Sequence, residues 1–309
     1  MKKLCFMFPG QASQYPKMGK DLYETYPEAK RIYDYAEEVL ELPIKRLSFE
    51  GPEEELKKTY ITQPAVLVHS LAVCEILKTY NIKPAVVLGH SLGEYSALYC
   101  ANVLSLEAVL KLVKKRSALM YNEGLRKPGT MAAILGLEDS VIEELCRQAQ
   151  SIVVPANYNA PGQLVISGSP EGVAWVCNKA QEKGAIKCVP LQVSGAFHSP
   201  LLKESAQEFL NYLNTFEFNP PSCPIIPNRT GEVTESLTQI KQALSEQLIN
   251  PVLWTKSILS AKAFGAELFL EVGPNRILSG LAKRIDKTIE CLTLGTTEEI
   301  KNFVGSYSS

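Results

Sequence analysis

Pro84-Ala85-Val86-Val87-Leu88-Gly89-His90-Ser91-Leu92-Gly93-Glu94-Tyr95-Ser96-Ala97-Leu98-Tyr99-Cys100-Ala101 decides how the rest of the chain is read. Residues 84–88 are a short apolar run opened by proline, the pattern of a buried strand. Residues 94–101 read as the first turns of a helix. Between them, residues 89–93 fit G-x-S-x-G, the nucleophile elbow, where strand, sharp bend and helix lift a serine hydroxyl clear of the backbone. Gly89 and Gly93 carry no Cβ, so neighbouring backbone can pass close to the bend. The Leu92 N–H would lie at the helix N-terminus, where free donors and the helix dipole favour negative charge. A serine attacking a carbonyl needs such a donor for the oxyanion it creates. The competing reading is a plain strand-to-helix turn with a serine cap. The flanking strand and helix favour Ser91 as a nucleophile.

A serine of this kind needs a base, and the chain has three histidines: His69, His90 and His198. The α/β-hydrolase order is serine, acid, histidine, and His198 alone lies downstream of Ser91. It sits on a loop just ahead of a predicted helix, where reactive residues often lie. His90 is next to Ser91, and the bend should turn its side chain away from the hydroxyl, into packing. His69 falls within an apolar helix and reads as a core residue.

The 309 residues are 46% hydrophobic and 21% charged, with a formal net charge of −1. That composition supports a large core and gives no electrostatic case for nucleic acid. No apolar run reaches the roughly 18 residues of a membrane span. Lys2 and Lys3 are followed too soon by Pro9-Gly10 for a signal peptide. The eight cysteines are dispersed without any C-x-x-C, which argues against zinc or a disulfide framework and for a reducing cytoplasm. Neither a Walker A motif nor G-x-G-x-x-G is present, so nucleotide sites have no support.

Strands are predicted at residues 4–8, 84–88, 224–227, 268–272 and 291–294, separated by helical patterns at 21–40, 53–59, 63–80, 105–123, 199–213, 237–248, 254–264 and 275–285. Such alternation predicts an α/β fold, a mostly parallel sheet covered by helices on both faces. The character changes at Arg126-Lys127-Pro128-Gly129. From there the order is strand 131–135, helix 139–148, strands 152–156 and 163–167 around a hairpin at 157–162, helix 170–183 and strand 185–191. This β-α-β-β-α-β order predicts a ferredoxin-like inserted subdomain over 126–194, within a large domain of 1–125 and 195–309.

The helix at 105–123 can be plotted at about 100° per residue. Leu106, Val109, Val113 and Met120 form an apolar stripe widened by Leu112 and Leu119, with Lys111, Lys114 and Lys115 opposite. Arg116 falls inside the apolar face. A buried guanidinium needs an anionic partner, either a structural carboxylate or something that arrives from outside.

Taken together, Phe8-Pro9-Gly10-Gln11-Ala12-Ser13-Gln14, residues 89–98, Arg116, residues 157–168, Gly195-Ala196-Phe197-His198-Ser199, Gln247-Leu248-Ile249-Asn250-Pro251 with Trp254, and Glu271-Val272-Gly273-Pro274 resemble malonyl-CoA:acyl-carrier-protein transacylases. The acyltransferase domains of polyketide synthases share the same pattern. The resemblance runs almost from end to end; one departure is Ala12, where the family commonly has glycine. It implies a hydrolase-like core with a ferredoxin-like insertion and a cleft between them. By similarity, Ser91 is the nucleophile and His198 its base, oriented by the backbone carbonyl of Gln247 in place of an acid. The N–H groups of Gln11 and Leu92 would form the oxyanion hole. Arg116 would pair with the free carboxylate of malonyl, and Phe197 and Asn159 would contact the substrate, Phe197 disfavouring a 2-methyl branch. The implied partners are malonyl-CoA and an acyl carrier protein with its phosphopantetheine arm, without a metal or tightly held cofactor, and the implied state is a monomer. The rival readings are a thioester hydrolase using the same serine, a polyketide synthase acyltransferase acting in trans, and a non-catalytic carrier-docking module.

Overall fold

β1 (Leu4–Phe8), β2 (Val86–Gly89), β7 (Ile225–Ile226), β8 (Leu268–Val272) and β9 (Cys291–Leu294) form one parallel sheet in the order β7-β2-β1-β8-β9 in a computed structural model. Residues 2–307 are described. Met1, where the N-terminal stretch read above begins, and Ser308 and Ser309 lie outside them. The sheet is buried on both sides, and the two-residue period of a strand divides its side chains between two cores. Leu4, Phe6 and Phe8 face one cluster, with helices Pro27–Leu40, Thr59–Thr79 and Leu106–Arg126. Cys5 and Met7 face the other, with helices Trp254–Ala263 and Ile277–Ile285. Parallel strands with helices on both faces are the α/β arrangement expected.

The second sheet is β3 (Thr130–Leu135), β4 (Val153–Ala160), β5 (Gln163–Gly168) and β6 (Lys187–Pro190), all antiparallel in the order β4-β5-β3-β6. Helices Asp139–Gln148 and Pro170–Glu182 cover its inner face, around a core of Ala132, Ile134, Leu145, Leu164, Ile166 and Val176. Its edge strand β4 is stitched to the parallel-sheet body. Val252 donates its N–H to Ala156 O and accepts from the Tyr158 N–H, and Thr255 Oγ1 donates to Tyr158 O at 3.1 Å.

Several boundaries differ from the sequence reading. Residues 21–40 hold two helices, Lys20–Thr25 and Pro27–Leu40, because Tyr26, ahead of a proline, is extended (φ −115°). The helix over residues 53–59 is a single turn, Glu53–Leu56. The apolar helix expected at 63 begins at Thr59 and carries Pro64 inside it. Its ring leaves one carbonyl unbonded, a cost offset by burial of nearly every side chain of the helix. Thr59–Thr79 is also long and apolar enough to cross a membrane by composition, contrary to the count made above. Of its most apolar 18-residue window, 89% is buried against the sheet and neighbouring helices, as in the central helix of a core. The hairpin expected at 157–162 narrows to Pro161-Gly162, since β4 runs on to Ala160.

Candidate active site

The bend after β2 holds Ser91 at φ 51°, a left-handed conformation that costs a non-glycine residue about 1–3 kcal/mol and persists only where the surroundings impose it. Two features impose it here. A Cβ on Gly89 would collide with the Gly93 carbonyl, and a Cβ on Gly93 with the Phe8 carbonyl, so the bend is packed against both its own helix and β1. Asn228, just beyond β7, clamps the bend from the other side. Its Oδ1 accepts from the Ser91 N–H at 2.7 Å and its Nδ2 donates to Gly89 O at 2.5 Å.

His198 lies on the loop that returns the chain from the second sheet, also in the left-handed region at φ 57°. Its Nε2 is 2.8 Å from Ser91 Oγ. Its Nδ1 faces the carbonyls of Gln247 at 3.0 Å and Asn250 at 3.2 Å. Carbonyls only accept, so Nδ1 carries the proton and Nε2 presents its lone pair to the serine hydroxyl. Burial first, then the facing Arg116 charge, pulls the imidazole down to about 3. The ring is therefore neutral at physiological pH, as a base waiting for a hydroxyl proton must be.

Arg116 is completely buried. Nη1 donates to Gln63 Oε1 at 2.6 Å, and Nη2 to Ser91 Oγ and Gln247 Oε1, both at 3.0 Å. Its guanidinium lies 5.4 Å from the Tyr95 ring centre. Nε has no partner. The hydrogen-bond acceptors around this cation are amides and a hydroxyl, all neutral, so the structural carboxylate weighed above is not among its direct partners. The guanidinium is aimed into a cleft of about 330 Å³ that Gln11, His90, Ser91, Leu92 and His198 also line.

Gln11 sits on the loop after β1, where Ala12 takes φ 81°. That is a conformation glycine adopts without penalty, and the chain tolerates alanine in it. Among the described residues, the N–H groups of Gln11 and Leu92 are taken by no acceptor. The Gln11 side chain donates to Thr59 Oγ1 at 3.2 Å, and Thr59 in turn meets Ser194 Oγ at 2.9 Å, tying the loop to the chain's exit from the second sheet. Phe197 is buried and lines the cleft with Met131, Leu191 and Val193.

Asn159 does not line the cleft. Its Oδ1 meets His90 Nε2 at 2.8 Å, and the asparagine that faces the cavity is Asn157. Strict alternation would set residues 157 and 159 on one face; the register shift between Tyr158 and Ala160 takes Asn159 out of that alternation. His90 packs against Trp254, its ring centre 5.3 Å away, turned from the serine as the bend predicts. His69 is a core histidine bonded to Gly295 O at 2.9 Å and lowered to about 4 by burial.

Three residues escaped the sequence reading: Gln63, Asn228 and Glu94. Glu94 lies in the first turn of the helix after the bend, Gly93–Cys100, and is buried. Its Oε2 accepts from Gln247 Nε2 at 2.7 Å and from the Asn228 N–H at 3.3 Å. The one available signal was a carboxylate amid residues that otherwise pack. Among the described residues, no cluster of three or more His, Cys, Asp or Glu side chains could hold a metal ion.

A hydroxyl on a strained bend, a neutral imidazole at 2.8 Å, two free N–H groups and a buried cation in one cleft define an acyl-transferring serine enzyme. The acyl transferase domain family matches residues 5–299, and the chain belongs to that family. More particularly, it is 41% identical over 304 residues to the malonyl CoA-acyl carrier protein transacylase of Bacillus subtilis, covering 97% of this chain and 96% of the relative. It is 37% identical over 306 residues to the protein of the same name from Staphylococcus aureus, covering 98% and 99%. Among solved structures, the malonyl-CoA:acyl carrier protein transacylase of Xanthomonas oryzae superposes with a TM-score of 0.95 at 37% identity, over 99% of this chain and 98% of that one. A malonyl-transacylase in complex with a type II PKS acyl-carrier protein superposes at 0.94 with 36% identity, over 98% and 99%. The resemblance and fold class drawn from the sequence are thereby borne out.

Proposed function

We propose that the chain transfers the malonyl group of malonyl-CoA to the phosphopantetheine thiol of an acyl carrier protein through a malonyl ester on Ser91. The observation that carries this reading is Arg116, a buried cation whose hydrogen-bond partners are all neutral, directed at the nucleophile. A carboxylate brought by the acyl group completes the pair.

Ser91 Oγ attacks the thioester carbonyl while His198 Nε2 takes the hydroxyl proton. The Gln247 and Asn250 carbonyls hold Nδ1–H and stabilise the imidazolium without adding a charge. The N–H groups of Gln11 and Leu92 receive the oxyanion. CoA leaves with the proton returned by His198, and the malonyl-serine ester remains. The carrier's thiol then attacks the ester, giving its proton to His198 Nε2, which passes it to the departing Ser91 Oγ 2.8 Å away and regenerates both groups. One thioester replaces another, so the reaction runs in both directions, and every group it uses belongs to the chain. Residues 126–194 form a subdomain that supplies the apolar wall of the cleft. Eight free cysteines suit a reducing cytoplasm. The relative solved with a type II PKS carrier supports service to either fatty-acid or polyketide synthesis.

Intact-mass spectrometry tests the reading. Malonyl-CoA should add one malonyl group to the wild type and none to Ser91→Ala; an adduct that survives in the variant would move the nucleophile elsewhere.

A further inference from the structure

The Gln247 side chain lies between two buried groups of opposite charge. Its Oε1 accepts from Arg116 Nη2 at 3.0 Å and its Nε2 donates to Glu94 Oε2 at 2.7 Å. A cation on one side and an anion on the other fix which end of the amide points where. The same Nε2 also donates to the Ser91 carbonyl at 3.0 Å, and the backbone carbonyl of the same residue holds His198. Glu94 thus touches no reacting atom, yet one amide separates it from the cation that faces the substrate.

Resting on the malonyl reading above, we propose that Glu94 is the resident counter-charge of Arg116 and sets how strongly a charged acyl group is preferred over a neutral one. When Glu94 is ionised, the pocket already holds one anion for one cation. A malonyl carboxylate arriving at Arg116 then makes two anions for one cation in a dry site. The imbalance is relieved when one proton from solvent water binds the Glu94 carboxylate. Protonation keeps the geometry, because the carbonyl oxygen of the acid still accepts from Gln247 and Asn228. Acetyl brings no charge and requires no proton.

The groups around Glu94 allow this. Burial lifts its carboxyl to about 7, against the pull of Gln247, Asn228 and Arg116, so the proton is exchanged near neutrality. The neighbouring Tyr95 phenol is pushed up by burial and stays neutral. Across the cleft, burial holds His198 at about 3 and lowers His90 as well. Between pH 6 and 8.5, Arg116 and Glu94 are the buried charges behind the cleft; exposed Glu53 and half-exposed Lys57 also line it, paired with each other at 3.0 Å.

The measurement is the ratio of kcat/KM for malonyl-CoA to that for acetyl-CoA, from pH 6 to 8.5. Titration of His198 and of the CoA moiety is common to both substrates and cancels. In the wild type the ratio should fall by roughly 5–20-fold as Glu94 ionises, the size expected of two like charges in a protein interior held apart by one amide and one guanidinium. In Glu94→Gln, which keeps the acceptor oxygen and removes the charge, the ratio should be level with pH and at least as high as the wild type at pH 6. A level wild-type ratio, or an unchanged slope in Glu94→Gln, overturns the proposal. A second measurement needs no variant. Malonylation of the wild type in weak buffer at pH 7 should take up a fraction of a proton beyond the acetyl-CoA control, and zero uptake overturns the proposal equally. Arg116→Ala separates the two levels of inference. Malonyl preference retained there removes the reading of the substrate itself, whereas preference lost there but unmoved in Glu94→Gln removes only the role of Glu94.

Discussion

The two sheets divide the work of the cleft unequally. The parallel sheet is buried on both faces and delivers polar groups at the carboxyl ends of its strands: Gln11 after β1, Ser91 after β2 and Asn228 after β7. The antiparallel sheet lays one face on its own helices and the other, through Met131, Ala133, Ala156 and Val165, on the main core; with the chain that leaves it, it lines the cleft with Met131, Leu191 and Val193 beside Asn157 and Gln192. In a parallel sheet all strands end on the same side, so reactive groups from distant sequence positions converge there. In the antiparallel sheet alternate strands end on opposite sides, and it contributes a surface. The parallel sheet brings the polar groups together and the antiparallel sheet helps to wall the cleft.

The sharpest way to break this division is to remove one reacting group. His198→Ala should lower malonyl transfer by roughly 10²–10⁴, the usual contribution of a positioned base, with little change in melting temperature. Steady-state transfer to the carrier measures it. A loss under tenfold would mean that another group takes the proton. In the wild type, the low position of His198 keeps it neutral, so acetyl transfer should stay level from pH 8 down to pH 5.

Next in size is Arg116→Ala. A charged pair is worth about 1.5–3 kcal/mol net, and a buried carboxylate left alone costs about 3–5. Malonyl kcat/KM should fall by about 10²–10³ while acetyl transfer holds or improves. Removing the cation also lifts the His198 imidazole from its depressed value, which imidazole NMR would follow. Equal losses for both substrates, with a lower melting temperature, would make Arg116 a structural residue.

The smallest effect on rate belongs to the antiparallel sheet. Ile134 is fully buried in its core, and Ile134→Ala should cost about 2–5 kcal/mol of stability. The kcat of the folded fraction should stay within about twofold. A tenfold drop in kcat at full folding would show that this sheet does more than shape the wall.

What the sequence revealed follows the same line. Ser91, Leu92 and the β2 strand were legible because their chemistry is packed into five consecutive residues with regular structure on either side. His198 was legible because histidines are scarce. Arg116 stood out as a charge on an apolar stripe. Gln247 came through resemblance alone, since its contact with His198 is made by a backbone carbonyl, which every residue type has. Glu94 was quoted with the motif but read as a helical residue; its partners, Asn228 and Gln247, are 134 and 153 positions away. Asn159 was expected at the substrate; in the structure Asn157, two residues earlier, lines the cleft and Asn159 meets His90, because a register shift around residue 159 breaks the alternation of β4.

The stitch between Val252 and β4 has a consequence for how these molecules behave when crowded. An open strand edge is a template on which a second chain can extend the sheet. Here the outer edge of β4 is occupied by Val252 at Asn157. The opposite edge, β6, is four residues long, with Lys187 at one end and Pro190 at the other. At the rims of the parallel sheet, β7 has two residues and meets Thr234 through Ile225, and β9 has four. Neither sheet leaves a long bare edge among the described residues, so concentrated solutions of the folded protein should resist growth into fibres by strand addition.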